Sequence, residues 1–406
     1  MTEVLLPTAL LTAIVLVLTV AVMGARAVLA PSRPVEVLVN GTLSYRGHTG
    51  DKLLPVLKSG GLPIPSACAG AGTCGLCRVQ IREGAEAPLP TELARLSRAD
   101  VRDGVRLACQ TVLRRALSVT VPDEFLSAET LTCRVVSNTM LAPLIKEVVL
   151  AVPEGSAFDP RPGAFVQVTA PPYKLEFERI EIDPAHEKLW RRLGWRSLHV
   201  DSGVSVTRAY SLANTPADAR HIVMTIRLAV PPPGRADVPP GVVSSYLFGL
   251  SPGDTVEVSG PYGEFGAQET SREMVFIGGG VGMAPLRSII HDQLERLGTQ
   301  RRMSYWYGAR SQADAFYSTE FRSLQDRHEN FSFHLALSDP DPDRATGAAT
   351  GFIHEVAYRT YLKDHPAPEE CEYYLCGPPL MIHAVRAMLD DLGVEDEMIY
   401  FDDFGG

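Results

Sequence analysis

The spacing of hydrophobic and polar positions divides the chain into four stretches. Residues 4–25 are apolar and carry no charge over 22 positions. Between residues 34 and 127, alternating apolar positions and one helical stretch predict a small α+β domain. Between 130 and 268, short strands separated by Pro and Gly predict an antiparallel β-barrel. From 270 to 406, apolar strands alternate with helical spacing, which predicts a doubly wound α/β domain with a parallel sheet. The predicted fold class is therefore multidomain.

Individual elements follow from the same pattern. The α+β domain is predicted to contain a helix at Asp51–Ser59 and strands at Val35–Val39, from Thr42 and at Ala116–Val121, with an Asn40-Gly41 turn after the first strand. Barrel strands are predicted at Thr132–Val136, Ile145–Val152, Ala164–Ala170, Ile222–Ala229 and Thr255–Ser259. The last domain is predicted to have strands at Met274–Ile277, Met303–Tyr307, Phe331–Leu337 and Tyr373–Cys376, and helical spacing at Leu286–Leu297, up to about His328 and at Met381–Leu392. A minimal barrel does not need the charged stretch from Tyr173 to Val204, which is interpreted as a surface excursion or as a docking element.

The N-terminal apolar run is long enough to cross a membrane. As a helix rising ~1.5 Å per residue it reaches about 33 Å, against a hydrocarbon core of roughly 30 Å. A cleaved signal peptide would need a basic leading region, and the only early charge is Glu3. Arg26 and Arg33 follow the run, so the positive-inside bias predicts one anchor within residues 1–30 and a cytoplasmic location for the rest.

Composition narrows the class of protein. An apolar fraction of 45% in 406 residues is ample for several packed cores. A net charge of −10 argues against nucleic acid as a partner. Seven cysteines is an odd number, so the sequence favours metal ligation in reducing surroundings over a disulfide framework.

Four of these cysteines have a spacing that is typical of an iron–sulfur loop. Cys68, Cys74, Cys77 and Cys109 are separated by five, two and thirty-one residues, and the first three lie in a glycine-rich segment. Four thiolates satisfy two tetrahedral irons, and small loop residues let backbone N–H groups approach the sulfurs. The plant-type first gap has four residues rather than five. The four cysteines are therefore the predicted ligands of a 2Fe–2S cluster, which carries one electron at a time.

Two segments of the barrel predict a bound flavin dinucleotide. Arg208 can pair with a pyrophosphate, Tyr210 can lie along a flavin, and Ser211 can hydrogen-bond to the flavin ring. Further along, Gly241 and Ser244 stand at the start of a short helix, where backbone and hydroxyl donors can meet phosphate. Each segment alone is also compatible with plain barrel structure, and it is their combination that favours a flavin.

The last domain carries the pattern of a nicotinamide dinucleotide site. A loop with four glycines follows a strand and opens a helix, so its backbone can approach a pyrophosphate (Gly278, Gly279, Gly280 and Gly282). The turn of Cys376, Gly377 and Pro378 ends the last predicted strand, at the same edge of the sheet. Near the terminus, Phe404 is either a packing plug or a cover over the flavin face where nicotinamide enters.

These motifs, in this order, resemble the ferredoxin–NADP reductase superfamily with a ferredoxin domain fused at the N-terminus. The stretches that carry the likeness are Thr207–Ser211, Gly260–Phe265, Met274–Pro285, Tyr305–Ser311, Cys371–Pro379 and Asp402–Gly406. With the anchor and the segment from Tyr173 to Val204, the chain is similar to the family of electron-entry subunits of sodium-translocating NADH:quinone reductases. That family has the same five-residue first gap.

The resemblance implies a complete electron path. The cluster is held by the four cysteines, FAD by the two barrel segments, and NADH by the glycine loop and the Cys376 turn. Ser211, Cys376 and Phe404 are implied as the catalytic residues that align hydride transfer, with Phe404 moving aside. NADH passes a hydride to FAD, and single electrons leave through the cluster to partner membrane subunits that reduce ubiquinone and export sodium. The resemblance also implies the bacterial inner membrane and a preference for NADH over NADPH.

Two other functions stay open at this point. One is a membrane-anchored, NADH-dependent ferredoxin reductase that supplies an oxygenase, because it is built from the same three modules. The other is a zinc-stabilised interaction module with a degenerate reductase body. Colour separates the zinc module from the two reductase functions, since flavin with an iron–sulfur cluster is brown-yellow and a zinc protein is colourless.

Overall fold

The computed structural model describes residues 10–21, 32–66, 68, 70–84, 86–218, 220–232, 234–235, 237–341 and 347–402. The chain forms two compact units. One consists of Met1–Ile64 with Gly70–Leu126, and the other of Pro65–Ala69 with Ser127–Gly406.

The predicted membrane anchor is described only in part. Residues 10–21 form a helix, α1, whereas residues 1–9 and 22–30 of the predicted anchor lie outside the described residues. In the part of the chain that the structure describes, no helix has both the length and the apolar character needed to cross a membrane.

The first unit is built around a five-stranded mixed sheet. Its elements are β1 (Pro34–Val39), β2 (Leu43–His48), α2 (Leu53–Ser59), β3 (Arg78–Glu83), α3 (Pro90–Leu93), α4 (Arg98–Arg102), β4 (Val105–Leu107) and β5 (Leu117–Thr120), with α5 (Asp123–Ser127) at the boundary of the two units. The strand order is β2-β1-β5-β3-β4. Between β1 and β2, Asn40 and Gly41 have φ of 49° and 72°. Two positive φ values are what a two-residue hairpin turn requires, so the predicted turn is confirmed.

The second unit begins with the barrel. Its elements are β6 (Glu129–Ala142), β7 (Ile145–Ala151), β8 (Phe165–Ala170), β9 (Tyr173–Glu176), α6 (Pro184–Arg192), β10 (His199–Ser202), β11 (Val206–Ser211), β12 (His221–Arg227), α7 (Val242–Gly249) and β13 (Thr255–Tyr262). Six strands form an antiparallel sheet in the order β11-β8-β13-β6-β7-β12. A bridge between Leu212 and Met224 joins the two edge strands, β11 and β12. The sheet therefore closes on itself, and the predicted barrel is confirmed.

The charged segment between residues 173 and 204 contributes to the barrel core. Strands β9 and β10 pair with each other, and α6 lies between them in sequence. Trp190 of α6 is fully buried in the same apolar cluster as the barrel strands. Its indole Nε1 donates a hydrogen bond of 2.7 Å to the carbonyl of Pro143. The segment thus covers apolar barrel surface with a tryptophan whose polar atom is satisfied.

Truncating this tryptophan is expected to destabilise the barrel. We expect Trp190→Ala to lower the free energy of unfolding by about 3–5 kcal/mol, the usual effect of removing a buried Trp. A urea titration followed by the fluorescence of released flavin measures the change. Leu193→Ala is the control, since Leu193 directly follows the same helix and is 49% exposed. Equal midpoints for the two variants would contradict a structural role for Trp190.

The remainder of the second unit is a six-stranded parallel sheet. Its elements are β14 (Met274–Gly279), α8 (Met283–His291), β15 (Met303–Ala309), α9 (Ser318–Arg327), β16 (Phe331–Leu337), β17 (Ala349–Thr350), α10 (Ile353–Thr360), β18 (Glu372–Cys376), α11 (Pro379–Asp391) and β19 (Ile399–Asp402). The strand order is β17-β16-β15-β14-β18-β19. Met274 and Phe276 of β14 pack into one apolar core and Val275 and Ile277 into another. Helices therefore cover both faces, and the predicted α/β arrangement is confirmed.

Candidate electron-transfer site

Strand pairing in the first unit brings two of the four predicted cluster ligands together. Cys77 immediately precedes β3 and Cys109 follows β4, and β3 pairs with β4 in antiparallel register. The backbone N–H of Cys109 donates to the Sγ of Cys77 at 3.5 Å, and Gln110 Nε2 donates to the Sγ of Cys109 at 3.4 Å. Both cysteines are buried. Cys74 is half-buried in the same unit, and Cys68 lies in Pro65–Ala69, which belongs to the other unit.

The chemistry of these sulfurs fits an iron–sulfur cluster. The hydrogen bond between the two thiols lowers the pKa of Cys109 to about 6 and raises that of Cys77. The backbone N–H of Gly72 also favours the Cys109 thiolate. Gly72 has a φ of +80°, and a Cβ there would lie 2.9 Å from Gln110 Nε2. A loop that needs glycine and directs donors at thiolates is the surrounding that 2Fe–2S clusters use.

Strand β11 carries the predicted flavin residues. Arg208 and Tyr210 lie on one face of the strand because side chains alternate, and Ser211 is on the other. Within the described residues, the guanidinium of Arg208 forms one hydrogen bond, at 2.9 Å to the carbonyl of Thr207, and no ion pair with a carboxylate. A half-buried guanidinium without a carboxylate partner fits a pyrophosphate ligand. Burial raises the pKa of Tyr210, so its phenol stays neutral.

The second flavin segment is placed at the start of a helix, as the sequence predicts. Gly241 caps α7, and a Cβ at this position would lie 2.7 Å from the hydroxyl oxygen of Ser244. That hydroxyl donates to the carbonyl of Gly241 at 3.1 Å and accepts from the N–H of Ala229 at 3.2 Å. Ser244 therefore holds the helix start against the barrel. The phosphate donors on offer are the N–H groups of the first helical turn.

The two predicted nicotinamide segments lie side by side. Strands β14 and β18 are parallel neighbours, with Gly278 opposite Cys376. A Cβ on Gly282 would lie 2.2 Å from the carbonyl oxygen of Cys376, and one on Gly279 would lie 2.8 Å from the sulfur of Met381 and 3.4 Å from Pro378. Gly280 has a φ of +57°. The segments meet beyond the carboxyl ends of the strands, where open parallel sheets bind ligands.

The C-terminal strand connects the predicted catalytic residues. In the pairing of β18 with β19, Cys376 lies opposite Asp402. The hydroxyl of Ser211, which is 5% exposed, donates a hydrogen bond of 2.9 Å to Asp402 Oδ2. Asp402 therefore links the strand that carries Ser211 to the strand that carries Cys376. Phe404 lies outside the described residues.

Family models match successive parts of the chain. A 2Fe-2S iron-sulfur cluster binding domain matches residues 37–114, an oxidoreductase FAD-binding domain matches residues 194–266, and an oxidoreductase NAD-binding domain matches residues 276–387. Each model covers one of the three predicted cofactor segments.

Two relatives are similar over their whole length. The F subunit of the Na(+)-translocating NADH-quinone reductase of Marinomonas sp. (strain MWYL1) is 46% identical, over 100% of this chain and 99% of the relative. The F subunit of the Na(+)-translocating NADH-quinone reductase of Yersinia pseudotuberculosis serotype I (strain IP32953) is 45% identical over 100% of both chains. The chain belongs to this family of Na(+)-translocating NADH-quinone reductase F subunits. As a member of the family, it is an oxidoreductase whose cofactors are a 2Fe–2S cluster, FAD and NAD.

Solved structures share the fold of this chain. A cytochrome P450 reductase from Amycolatopsis is 26% identical, with a TM-score of 0.63 over 91% of this chain and 98% of that chain. The ferredoxin reductase in carbazole 1,9a-dioxygenase is 24% identical, with a TM-score of 0.58 over 92% of this chain and 99% of that chain. The chain therefore has the reductase fold.

One residue of the site was not singled out from the sequence. Asp402 stands in the terminal stretch whose predicted site residue is Phe404. The signal that could have found it is the short apolar pattern from Ile399, which predicts a final strand ending at Asp402. A strand that ends at this edge of the sheet brings its last side chain to the ligand side.

Adding a side-chain carbon at Gly282 is expected to impair NADH binding. In Gly282→Ala the new Cβ meets the backbone carbonyl of Cys376, so the glycine loop must move away from the turn. We expect kcat/KM for NADH to fall by about 100-fold, as a displacement of about 1 Å can cause. Steady-state NADH oxidation with ferricyanide measures it. Gly203→Ala is the control, since nothing lies within 4 Å of a Cβ there. Similar loss in both variants would contradict the assignment.

Proposed function

We propose that this chain is the electron-entry subunit of a sodium-translocating NADH:quinone reductase complex. It accepts reducing equivalents from NADH and passes single electrons to partner membrane subunits that reduce ubiquinone. The observation that carries the proposal is the connection of Ser211 through Asp402 to the strand of Cys376. It joins the flavin strand to the nicotinamide turn in a chain whose full-length relatives are named as the F subunit of such a reductase.

The cofactors would be divided among three parts of the chain. Residues 34–127 would hold the cluster through Cys68, Cys74, Cys77 and Cys109. Residues 130–268 would hold FAD through Arg208, Tyr210, Ser211, Gly241 and Ser244, and residues 270–406 would hold NADH through Gly278, Gly279, Gly280, Gly282, Cys376, Gly377 and Pro378. When bound, FAD takes two electrons from NADH as a hydride and the cluster takes electrons singly, so a two-electron input becomes a one-electron output.

The side chains themselves align rather than react. Asp402 accepts the hydrogen of the Ser211 hydroxyl, which fixes the rotamer of Ser211. Cys376 is fully buried at the end of β18, which limits where a nicotinamide ring can lie. The burial of Ser211 and Cys376 would help to exclude water from the place where hydride passes. Phe404 is proposed to cover this place when no nicotinamide is bound.

We include a membrane anchor within residues 1–30 in the proposal. The support is the uncharged run from Val4 to Ala25 and the helix α1, whose apolar side chains are exposed; Leu10 and Val17, for example, are 63% and 67% exposed. Such a helix needs an apolar surrounding. The proposed location is the cytoplasmic side of a bacterial inner membrane, with the complex as partner.

The test compares the full-length chain with a chain that lacks residues 1–30. Both should oxidise NADH much faster than NADPH with ferricyanide as acceptor. When co-expressed with the other subunits, only the full-length chain should sediment with membranes and support sodium-stimulated ubiquinone reduction. Membrane association and quinone reduction by the truncated chain would contradict the anchor, and a preference for NADPH would contradict the function.

The oxygenase-reductase alternative has one supporting observation, the structural likeness to a cytochrome P450 reductase at 26% identity. The full-length relatives at 46% and 45% identity favour the quinone reductase instead. Reduction of an oxygenase or ferredoxin by this chain, without activity in the membrane complex, would support the alternative.

A further inference from the structure

Three residues of types that bind metal ions meet at the amino-terminal edge of the parallel sheet, away from the nucleotide loops. Glu273 directly precedes β14, Cys371 directly precedes β18, and His365 lies in the connection between α10 and β18. One ligand atom from each side chain lies within 4.8 Å of the others. None of the three takes part in the proposed electron path.

Two of the three separations between these atoms are close to the edges of a tetrahedral site. Bonds of about 2.0 Å from Zn²⁺ to nitrogen or oxygen and about 2.3 Å to sulfur place N and O about 3.3 Å apart and S and N about 3.5 Å apart. His365 Nε2 lies 3.3 Å from Glu273 Oε2 and 3.9 Å from Cys371 Sγ. Shifts of a few tenths of an ångström would bring these two separations to the tetrahedral values, and the ligand atoms of Glu273 and Cys371 lie within 4.8 Å of each other.

The carboxylate is already oriented by a neighbouring side chain. The hydroxyl of Tyr361 donates to Glu273 Oε1, which leaves Oε2 directed at the histidine. Two arginines are nearby: Arg272 lines the same cleft, and Arg302 has its Nε 3.9 Å from Glu273 Oε1 and its guanidinium over the Tyr361 ring. The Arg302 side chain is 65% exposed, so solvent screens its repulsion of a bound cation. A hydrogen bond that fixes a ligating carboxylate is a feature of built metal sites.

Solvent reaches these three side chains through a cleft. The cleft has a volume of ≈ 510 Å³, and its lining includes Thr270, Arg272, Glu273, His365, Glu370 and Cys371. The side chains of Glu273 and His365 are 13% and 8% exposed, so the donors lie at the base of the cleft. An ion can enter, and a water molecule can occupy a fourth coordination position.

We propose that Glu273, His365 and Cys371 bind one Zn²⁺ ion through a carboxylate oxygen, Nε2 and Sγ. A set of one oxygen, one imidazole nitrogen and one thiolate suits a borderline-soft cation and disfavours Na⁺, Mg²⁺ and Ca²⁺, which prefer oxygen ligands. The ion would join the connection that follows α10 to the start of β14. The site is separate from the cluster cysteines, all of which precede residue 127.

Binding releases one proton. Burial, followed by the charge of Glu273, raises the pKa of the Cys371 thiol to about 12, so the thiol is protonated before the ion arrives and passes its proton to solvent. The N–H of Ala367 donates to His365 Nδ1 at 3.3 Å, which places the ring proton on Nε2. When Nε2 becomes a ligand, this proton moves to Nδ1 and the contact with Ala367 opens.

The test uses the full-length chain with flavin and iron present, incubated with one equivalent of Zn²⁺. X-ray absorption at the zinc edge does not detect iron or flavin, so it reports this ion alone. We expect one sulfur neighbour at about 2.3 Å and nitrogen or oxygen neighbours at about 2.0 Å. A competition titration with a chromophoric chelator measures the dissociation constant.

Variants connect the ion to its ligands. Cys371→Ser and Glu273→Gln are expected to weaken Zn²⁺ binding by at least about 100-fold, because even outer contacts of a metal site contribute 10–100-fold. Using both variants keeps the test decisive if one fails to fold. Cys133→Ala is the matched control, since Cys133 is equally buried but lies in the barrel core, and it should bind Zn²⁺ normally.

Three outcomes would overturn the proposal. They are no binding at one equivalent, a spectrum with several sulfur neighbours accompanied by iron loss, and unchanged affinity in both folded variants. The second outcome would place zinc on the cluster cysteines instead. Without added zinc, Cys371→Ser and Glu273→Gln should oxidise NADH at the wild-type rate, whichever outcome is found. The proposed electron path is therefore judged independently.

Discussion

Replacing Cys77 by alanine is expected to abolish the EPR signal of the reduced 2Fe–2S cluster while NADH oxidation by an artificial two-electron acceptor continues. Two tetrahedral irons need four thiolates, so the loss of one leaves an iron open to solvent. Cys77 is 1% exposed, and its sulfur accepts the N–H of Cys109. In the membrane complex the variant should lose quinone reduction, because electrons would have no one-electron exit from the flavin.

The measurement is EPR at low temperature after reduction with dithionite, together with iron and flavin content. Cys133→Ala again serves as the control, because this cysteine is buried at 0% exposure on β6 and is outside the predicted ligand set. The control should keep both its iron and its signal. A surviving signal in Cys77→Ala would show that the ligand set is wrong.

Ser211→Ala is expected to slow flavin reduction by NADH by about 10- to 100-fold while FAD remains bound. The substitution removes a hydroxyl whose hydrogen bond goes to a charged group, and such bonds contribute about 1.5–3 kcal/mol, or one to two powers of ten in rate. FAD should remain because Arg208 and the start of α7 are unchanged. Asp402→Asn should have a smaller effect, since the amide oxygen still accepts from Ser211.

Anaerobic stopped-flow mixing with NADH measures the rate, and absorbance after gel filtration measures bound flavin. Ser202→Ala is the control, because Ser202 is also buried and donates a hydrogen bond of 2.8 Å, but to Val204 in the 173–204 segment. An unchanged rate in Ser211→Ala, or a slow rate in all three variants, would argue against the role of Ser211 in alignment.

The elements that are determined by neighbouring residues in the chain were predicted well. The Asn40-Gly41 turn needs two positive φ values, and these two residue types supply them at low cost. Strand β14 reads as a continuous apolar run because both of its faces are buried, and the glycines that follow allow close approach of Cys376. In each case the residues that decide the structure are neighbours in the chain.

Elements that depend on distant partners were not predicted. The helical spacing predicted at Leu286–Leu297 is confirmed, but it did not distinguish α8, which ends at His291, from the π-helical turn at Asp292–Arg296 that follows it. The burial of Trp190 depends on apolar barrel surface that is made by other strands. The bond between Ser211 and Asp402 spans 191 positions, so periodicity gives no sign of it.

By itself, the sequence determined the order of the domains, the three cofactor motifs and the residue types at each site, because turns, strand alternation and ligand spacing are short-range properties. The tertiary structure alone decided which of these residues meet. Parallel pairing placed the glycine loop beside Cys376, and the C-terminal strand carried Asp402 to Ser211. The tertiary structure also brought together Glu273, His365 and Cys371, which are too far apart in the chain to form a recognisable motif. Side chains from distant segments come together only when the sheet and the barrel have formed, and the pattern along one strand or helix does not show which distant segment it will meet.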